Sequence, residues 1–160
     1  MKRTLFGITT LLIVLVGCSL QPGFLSFNPV PTYEVGVLHE GTPVVGLNAD
    51  IAQLVSNGAL KGGNPQRGAQ LYQVLGCIAC HSINTIAPPT EGTFTRIVET
   101  RLKDPANAGK SPEGYIAESI LYPDKYVVPK YAVGIMPRDW GSRLTIEDLK
   151  DLIAFLNTQR

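Results

Sequence analysis

The chain has few side chains to offer a metal. Its 160 residues include two histidines, His39 and His81, three cysteines and two methionines, one of them Met1. That count excludes a histidine-rich metal site. Charge is scarce as well, with 17% of residues Asp, Glu, Lys or Arg and a formal net charge of +1. A nucleic-acid surface needs a basic stripe, and none is present. Internal repeats and low-complexity runs are also missing. At 44% hydrophobic and 8% aromatic, the composition is that of a chain that buries a core, not of a disordered polyelectrolyte. The length fits one domain with an appendage.

No apolar run reaches the roughly 20 residues that cross a bilayer as a helix. The nearest approach, Leu5 to Val16, follows Lys2 and Arg3 and stops at Gly17-Cys18. A basic start, a short apolar middle and a small-residue end describe an export signal. An A-x-A-like cleavage site is lacking, and Leu15-Val16-Gly17-Cys18 resembles the lipobox of bacterial lipoproteins instead. The resemblance implies removal of residues 1–17 and acylation of Cys18, with more than one lipid chain required for a lasting anchor. An ordinary signal or an uncleaved anchor helix would leave Cys18 without a role in an oxidising compartment. Loss of Lys2 and Arg3 takes the formal charge from +1 to −1. Bulk charge then draws the mature chain neither to membranes nor to polyanions.

With Cys18 assigned to lipid, two cysteines remain, in Cys77-Ile78-Ala79-Cys80-His81. A disulfide, a zinc half-site, a thiol redox pair and covalent haem all compete for this motif. Zinc wants four ligands, and a second C-x-x-C or H-x-H is absent. A thioredoxin-like pair follows a strand in a βαβ pattern, and no strand-like alternation precedes Val74. C-x-x-C-H is the attachment signature of c-type haem. Cysteines three apart on a helical turn share a face, so both thiols reach the two vinyl groups of one porphyrin while the imidazole points at iron. One covalent haem c is the expected cofactor, attached through Cys77 and Cys80, with His81 on the iron. The sixth ligand follows by counting. Once Met1 is removed, Met136 is the thioether that remains, 55 residues after His81 in Gly134-Ile135-Met136-Pro137. Pro137 biases Met136 toward extended backbone and stiffens the loop. His39 is the rival and would give a bis-histidine haem of lower potential. Its loop-like segment lies far ahead of the motif and reads as surface.

These residues bring a family into view. Arg67-Gly68-Ala69-Gln70-Leu71-Tyr72, CIACH, the stretch AESILYPDKYVVPKYAVGIM over 117–136 and the closing LTIEDLKDLIAFLNTQ together resemble a class I monohaem cytochrome c of the mitochondrial type. The 118–137 stretch is similar to haem domains of respiratory complexes: the c domain of some oxidase second subunits, and the small lipid-anchored monohaem subunit of bacterial alternative complex III. The resemblance covers residues 63–160 and implies an all-α cytochrome c fold of three to five short helices wrapped around one haem. It also implies that a proline carbonyl after the motif accepts the proton of the non-ligating nitrogen of His81. Pro88 and Pro89 are both candidates. Arg96, Arg101, Tyr126, Arg138 and Trp140 are further haem-pocket candidates, the arginines and Trp140 as partners of the propionates.

Periodicity supports the same fold. Pro65 opens a helix over 65–76 in which Leu71, Val74 and Leu75 fall at i, i+3, i+4. A second, over 111–122, has Ser111 as N-cap, Pro112 in its first turn and Glu113 near the dipole. The last opens with Thr145 and a near capping box to Asp148, then repeats Ile146, Leu149, Ile153 and Leu156 at helical spacing. The family's crossing of first and last helices would set Gly68 and Tyr72 on Leu152 and Phe155. Residues 82–110 are loop-like, a length that haem explains by standing in for missing core. Residues 18–62 read as an extended tether or docking arm, rich in proline and glycine. Phe24, Leu25, Phe27, Val30 and Tyr33 are more apolar than a solvated linker requires, and a short helix falls around Ala49–Ser56.

His/Met ligation leaves iron no open position. The expected role is a single-electron relay with no catalytic residue and no small-molecule substrate. Its partners are redox proteins, and its place is the extracytoplasmic face of a bacterial cell membrane, held by lipid. Membership of a larger membrane complex is favoured over a freely swinging anchored shuttle. A haem enzyme or gas sensor with a labile Met136, and a structural subunit stapled by haem, are the other readings.

Overall fold

The computed structural model describes residues 38–44 and 50–160. The signal segment 1–17, Cys18 and the apolar residues Phe24, Leu25, Phe27, Val30 and Tyr33 lie outside the described residues. Within them, the chain forms seven α-helices and two one-turn 3₁₀ helices, with no strand beyond an isolated bridge between Pro43 and Thr145. The helices are α1 (Ile51–Ser56), α2 (Pro65–Val74), α3 (Cys77–His81), α4 (Thr93–Glu99), α5 (Pro112–Leu121), α6 (Trp140–Arg143) and α7 (Ile146–Thr158).

Local chemistry fixes the long helices. Asn64 caps α2 by accepting from the N–H groups of Gln66 and Arg67 at 3.0 and 3.1 Å, and Pro65 takes the first position, where its missing donor is no loss. Ser111 Oγ accepts from Gly114 N–H at 3.1 Å at the start of α5. Thr145 and Asp148 close a full capping box on α7: each side chain accepts from the other's backbone N–H, at 3.2 and 3.0 Å.

α2 and α7 pack closely because one residue lacks a side chain. A Cβ placed on Gly68 would lie 1.9 Å from the carbonyl oxygen of Asp151, a separation no pair of atoms tolerates. The approach stacks Tyr72 on Phe155, with ring centroids 5.3 Å apart. An ionic clasp closes the same crossing. Arg67 donates to Asp151 Oδ2 at 2.7 Å and to Asp148 Oδ1 at 3.2 Å, and Asn64 N–H donates to Asp151 Oδ1 at 2.6 Å. Asp148 is fully buried. Burial by itself would raise the Asp151 carboxyl. The Asn64 N–H, Arg67 and His39 outweigh burial and hold it below the usual carboxylate range.

Two expectations change. Residues 82–110 hold more structure than a loop: α4 buries Ile97, and Asp104 accepts from Ala106 N–H at 2.9 Å to start the 3₁₀ turn Pro105–Asn107. The described part of the 18–62 arm is not a tether. Val44 is buried and donates its N–H to Leu144 O at 2.8 Å, and Leu54 and Leu60 join the same core. His39 N–H donates to Asp148 Oδ1 at 2.9 Å, and its Nε2 lies 3.4 Å from Asp151 Oδ2. Apolar residues drive this docking, since leaving Val44, Leu54 and Leu60 in water would cost roughly 1.5–3 kcal/mol each for the larger side chains.

Gly68→Ala forces the α2–α7 crossing apart and lowers stability by about 3 kcal/mol, the upper end for overpacked cores, measurable as a lower denaturation midpoint. Asp151 has its pKa lowered by folding, so its stabilisation is complete above the unfolded value of about 3.9 and disappears as pH falls through the lower folded value. Asp151→Asn therefore shows a lower stability at neutral pH and a shallower loss below about pH 4, checked by denaturant titrations across that window.

Candidate haem site

The helices enclose a cavity of about 360 Å³, within the range of ligand pockets. Cys77, Cys80 and His81 line it from α3, Ile97 from α4, Ile116 and Ile120 from α5, and Leu152 and Leu156 from α7. The 122–139 loop closes it with Tyr126, Val127, Val128 and Met136. The walls are thus aliphatic and aromatic, while sulfur and imidazole project from two separate segments.

His81 is oriented from both ends. Its Nδ1 lies 2.7 Å from Pro88 O, and because a carbonyl only accepts, Nδ1 carries the proton. Nε2 is then the unprotonated nitrogen, as a metal ligand requires. Burial lowers the His81 pKa, against the opposing pull of the Pro88 carbonyl, so the ring is neutral. Its backbone oxygen accepts from Thr90 N–H at 2.9 Å, and Thr90 Oγ1 sits 2.9 Å from the hydroxyl of Tyr72. Tyr72 in turn holds its ring 6.2 Å from the imidazole, and burial pushes its pKa up to about 12, leaving it a neutral hydroxyl. Of the two candidate prolines, Pro89 faces elsewhere: its carbonyl accepts from Arg96 and from Thr93 Oγ1. Burial likewise raises the Cys77 thiol to about 11, and Cys77 and Cys80 form no disulfide with each other.

Arg96, Arg101, Tyr126, Trp140 and Met136 all line the cavity. Arg138 does not. Its guanidinium pairs with Asp124 and borders a neighbouring cleft of about 730 Å³. Arg143, which the sequence reading did not single out, is on the cavity wall instead, with its guanidinium 4.4 Å from the centre of the Trp140 ring. Its spacing of three from Trp140 on one helical turn was the available signal. His39 lies outside the cavity, at the Asp151 clasp.

Three observations test whether covalent haem fits here. The two thiols share one short helix with the imidazole, and that imidazole is neutral with its proton already committed to Pro88. The third is Trp140. It is 5% exposed, and its Nε1 is a buried donor without a partner, which costs about 1–3 kcal/mol unless something accepts the bond. A propionate oxygen is such an acceptor. The residues fit the group.

This all-helical fold around a C-x-x-C-H cavity is that of a c-type haem protein. The cytochrome c family model matches residues 65–160, and the chain belongs to the cytochrome c family. Its cofactor is covalently bound haem c, the Cys77/Cys80 pair fits the attachment motif, and its activity is electron transfer. No curated protein and no solved structure matches the chain.

Trp140→Phe keeps an aromatic ring at the site, smaller than indole, and deletes the donor. The holoprotein loses about 1–3 kcal/mol, seen as a lower guanidinium midpoint. An unchanged or raised midpoint would mean that Nε1 has no acceptor in the holoprotein.

Proposed function

We propose that the protein is a lipid-anchored class I cytochrome c that relays single electrons as the monohaem subunit of a membrane complex. The observation that carries this is the convergence of Cys77, Cys80, His81 and Met136 on one cavity. Cys77 and Cys80 would hold the cofactor by thioethers, and His81 Nε2 and the Met136 sulfur would ligate its iron, while Pro88 fixes the imidazole. The bound haem supplies a one-electron ferric/ferrous couple, with a potential raised by methionine ligation and by burial. The chain's own part is to keep water and substrates away: His81 and Met136 would occupy the iron, and Ile97, Ile116, Ile120 and Leu152 line the cavity that would enclose the ring. Trp140, Arg143 and Arg101 would receive the propionates.

The rim of the cavity supports the finer reading. Residues 68–90 contain no Asp, Glu, Lys or Arg. On that stretch Val74, Ile78, Ile83 and Ile86 are exposed, and across the mouth so are Val133, at 68%, and Ile135. The two sides are tied together by Tyr131, whose hydroxyl donates to Asn84 Oδ1 at 2.7 Å. Clustered exposed aliphatic side chains mark an interaction surface, and one with little charge beyond Lys130, whose ammonium donates to Asn84 Oδ1 at 3.3 Å, suits a permanent neighbour better than a partner found by electrostatic steering. Residues 1–17 act as the signal and Cys18 as the lipid attachment, which puts residues 63–160 on the extracytoplasmic side of a bacterial membrane. Similarity of the 118–137 stretch to the haem subunits of oxidases and of alternative complex III gives the class of complex.

Native membranes dissolved in mild detergent and run on a native gel decide the matter. With haem staining and mass spectrometry to track this polypeptide, it migrates with a large multi-subunit band, and does so at high salt as well as low. Migration alone near its own mass under several detergents would leave an anchored shuttle.

A further inference from the structure

We infer that Asp124 is a positioning residue that fastens the methionine loop to the most deeply buried helix and so keeps Met136 on the iron. The inference rests on the reading of Met136 as the axial ligand.

The loop from 122 to 139 has no helix or strand of its own, and its outer residues are exposed, from Ala132 through Ile135 and again at Pro137 and Arg138. A thioether is a weak ligand, and nothing in such a loop holds it against iron by default. Asp124 supplies the restraint. Its Oδ1 accepts from Gly134 N–H at 3.0 Å, and its Oδ2 accepts from Arg138 Nε. The two contacts bracket Met136, two residues before it and two after. One carboxylate therefore closes both ends of the five-residue stretch that bears the sulfur.

Both partners are prepared for this. Gly134 has φ +78°, in the left-handed region that favours glycine, and Gly134 is where its N–H meets the carboxylate. Asp124 follows Pro123 directly, and Pro123 comes two residues after α5, in which Gly114 to Glu118, Ile120 and Leu121 are all buried. The anchor point thus hangs from the element with least freedom. Pairing alone would do little, because the Arg138 side chain is 68% exposed and surface ion pairs contribute little. The bond from a backbone N–H to a carboxylate is the stronger half. Elsewhere the loop is held at Tyr126, whose hydroxyl donates to Asp104 Oδ2 at 2.9 Å, and at Tyr131 on Asn84. Neither of those contacts lies within four residues of Met136.

The test uses holoprotein and free imidazole, which binds iron only when the methionine leaves. Asp124→Ala loses the Gly134 bond and binds imidazole about tenfold more tightly, the equivalent of one charge-assisted hydrogen bond. Its methionine–iron charge-transfer band in the red weakens. Asp124→Asn keeps an acceptor for Gly134 and binds imidazole with an affinity between those of wild type and Asp124→Ala. Arg138→Ala changes it less than Asp124→Ala does. Haem content and helical circular dichroism stay at wild-type values in all three, so a general loss of fold is recognised. Imidazole affinity and band intensity unchanged in Asp124→Ala would overturn the proposal. Met136→Ala distinguishes the two levels of failure. If it too matches wild type, with no charge-transfer band in either, the ligand assignment has failed and the positioning role falls with it.

Discussion

The fold depends on the closeness of α2 to α7 at Gly68. That contact places the C-terminal helix where it buries Leu149, Leu152 and Ile153, and Leu152 and Leu156 then form part of the cavity wall. It also sets α2, and with it the start of α3, so the thiols and the imidazole inherit their position from a crossing nine to thirteen residues upstream. Arg67, Asp148 and Asp151 lock that crossing with partly buried charge. Buried ion pairs are weak evidence for net stability, because desolvation offsets the attraction. Their value here is geometric: Asp148 simultaneously caps α7, accepts from Arg67 and receives the N–H of His39, so one side chain fixes three segments in one register.

The two sides of the cavity are built to different standards. His81 sits on a helix and has its ring proton, its backbone oxygen and its ring face all engaged. The Met136 side is a loop held at separate points by Asp104, Asn84 and Asp124. A covalent group attached through Cys77 and Cys80 belongs to the first side whatever the second does. Loosening the loop then exposes iron without releasing the cofactor, which is why the fastening of the loop bears on reactivity and not on retention.

Much of this was legible in the residues. The C-x-x-C-H spacing, the lone thioether at Met136, the caps at Ser111 and Thr145, and the meeting of Gly68 and Tyr72 with Phe155 all follow from local pattern or from family resemblance. What stayed hidden is long-range. His39 reaches Asp148 across 109 residues, and Tyr131 reaches Asn84 across 47. No periodicity encodes such a contact, so the docking of residues 38–44 looked like linker. Pro88 and Pro89 are indistinguishable as letters, and the choice falls to Arg96, which occupies the Pro89 carbonyl. Arg138 was misplaced for a related reason: sequence offers an arginine near Met136 but cannot say that Asp124 has already engaged it.

The distribution of charge connects the fold to the proposed role. The buried carboxylates are matched internally, Glu118 with Lys110 and Lys125, Asp151 with Arg67. Burial would raise the Glu118 pKa, and the two lysines keep it lowered instead. The rim around the attachment motif has no charge on residues 68–90. Across the mouth Lys130 donates to Asn84 Oδ1 at 3.3 Å, a single cation that steers little, and association without steering proceeds at roughly 10⁵–10⁶ M⁻¹s⁻¹. At micromolar partner concentrations that rate yields encounters only about once per second or slower. A short flexible tether raises the effective concentration to the millimolar range, and fixed membership of a complex removes the search altogether. The proposed lipid anchor or permanent seat would supply what so sparsely charged a rim lacks. Sparse charge at the mouth and the proposed means of attachment would be two halves of one physical solution to delivering electrons quickly.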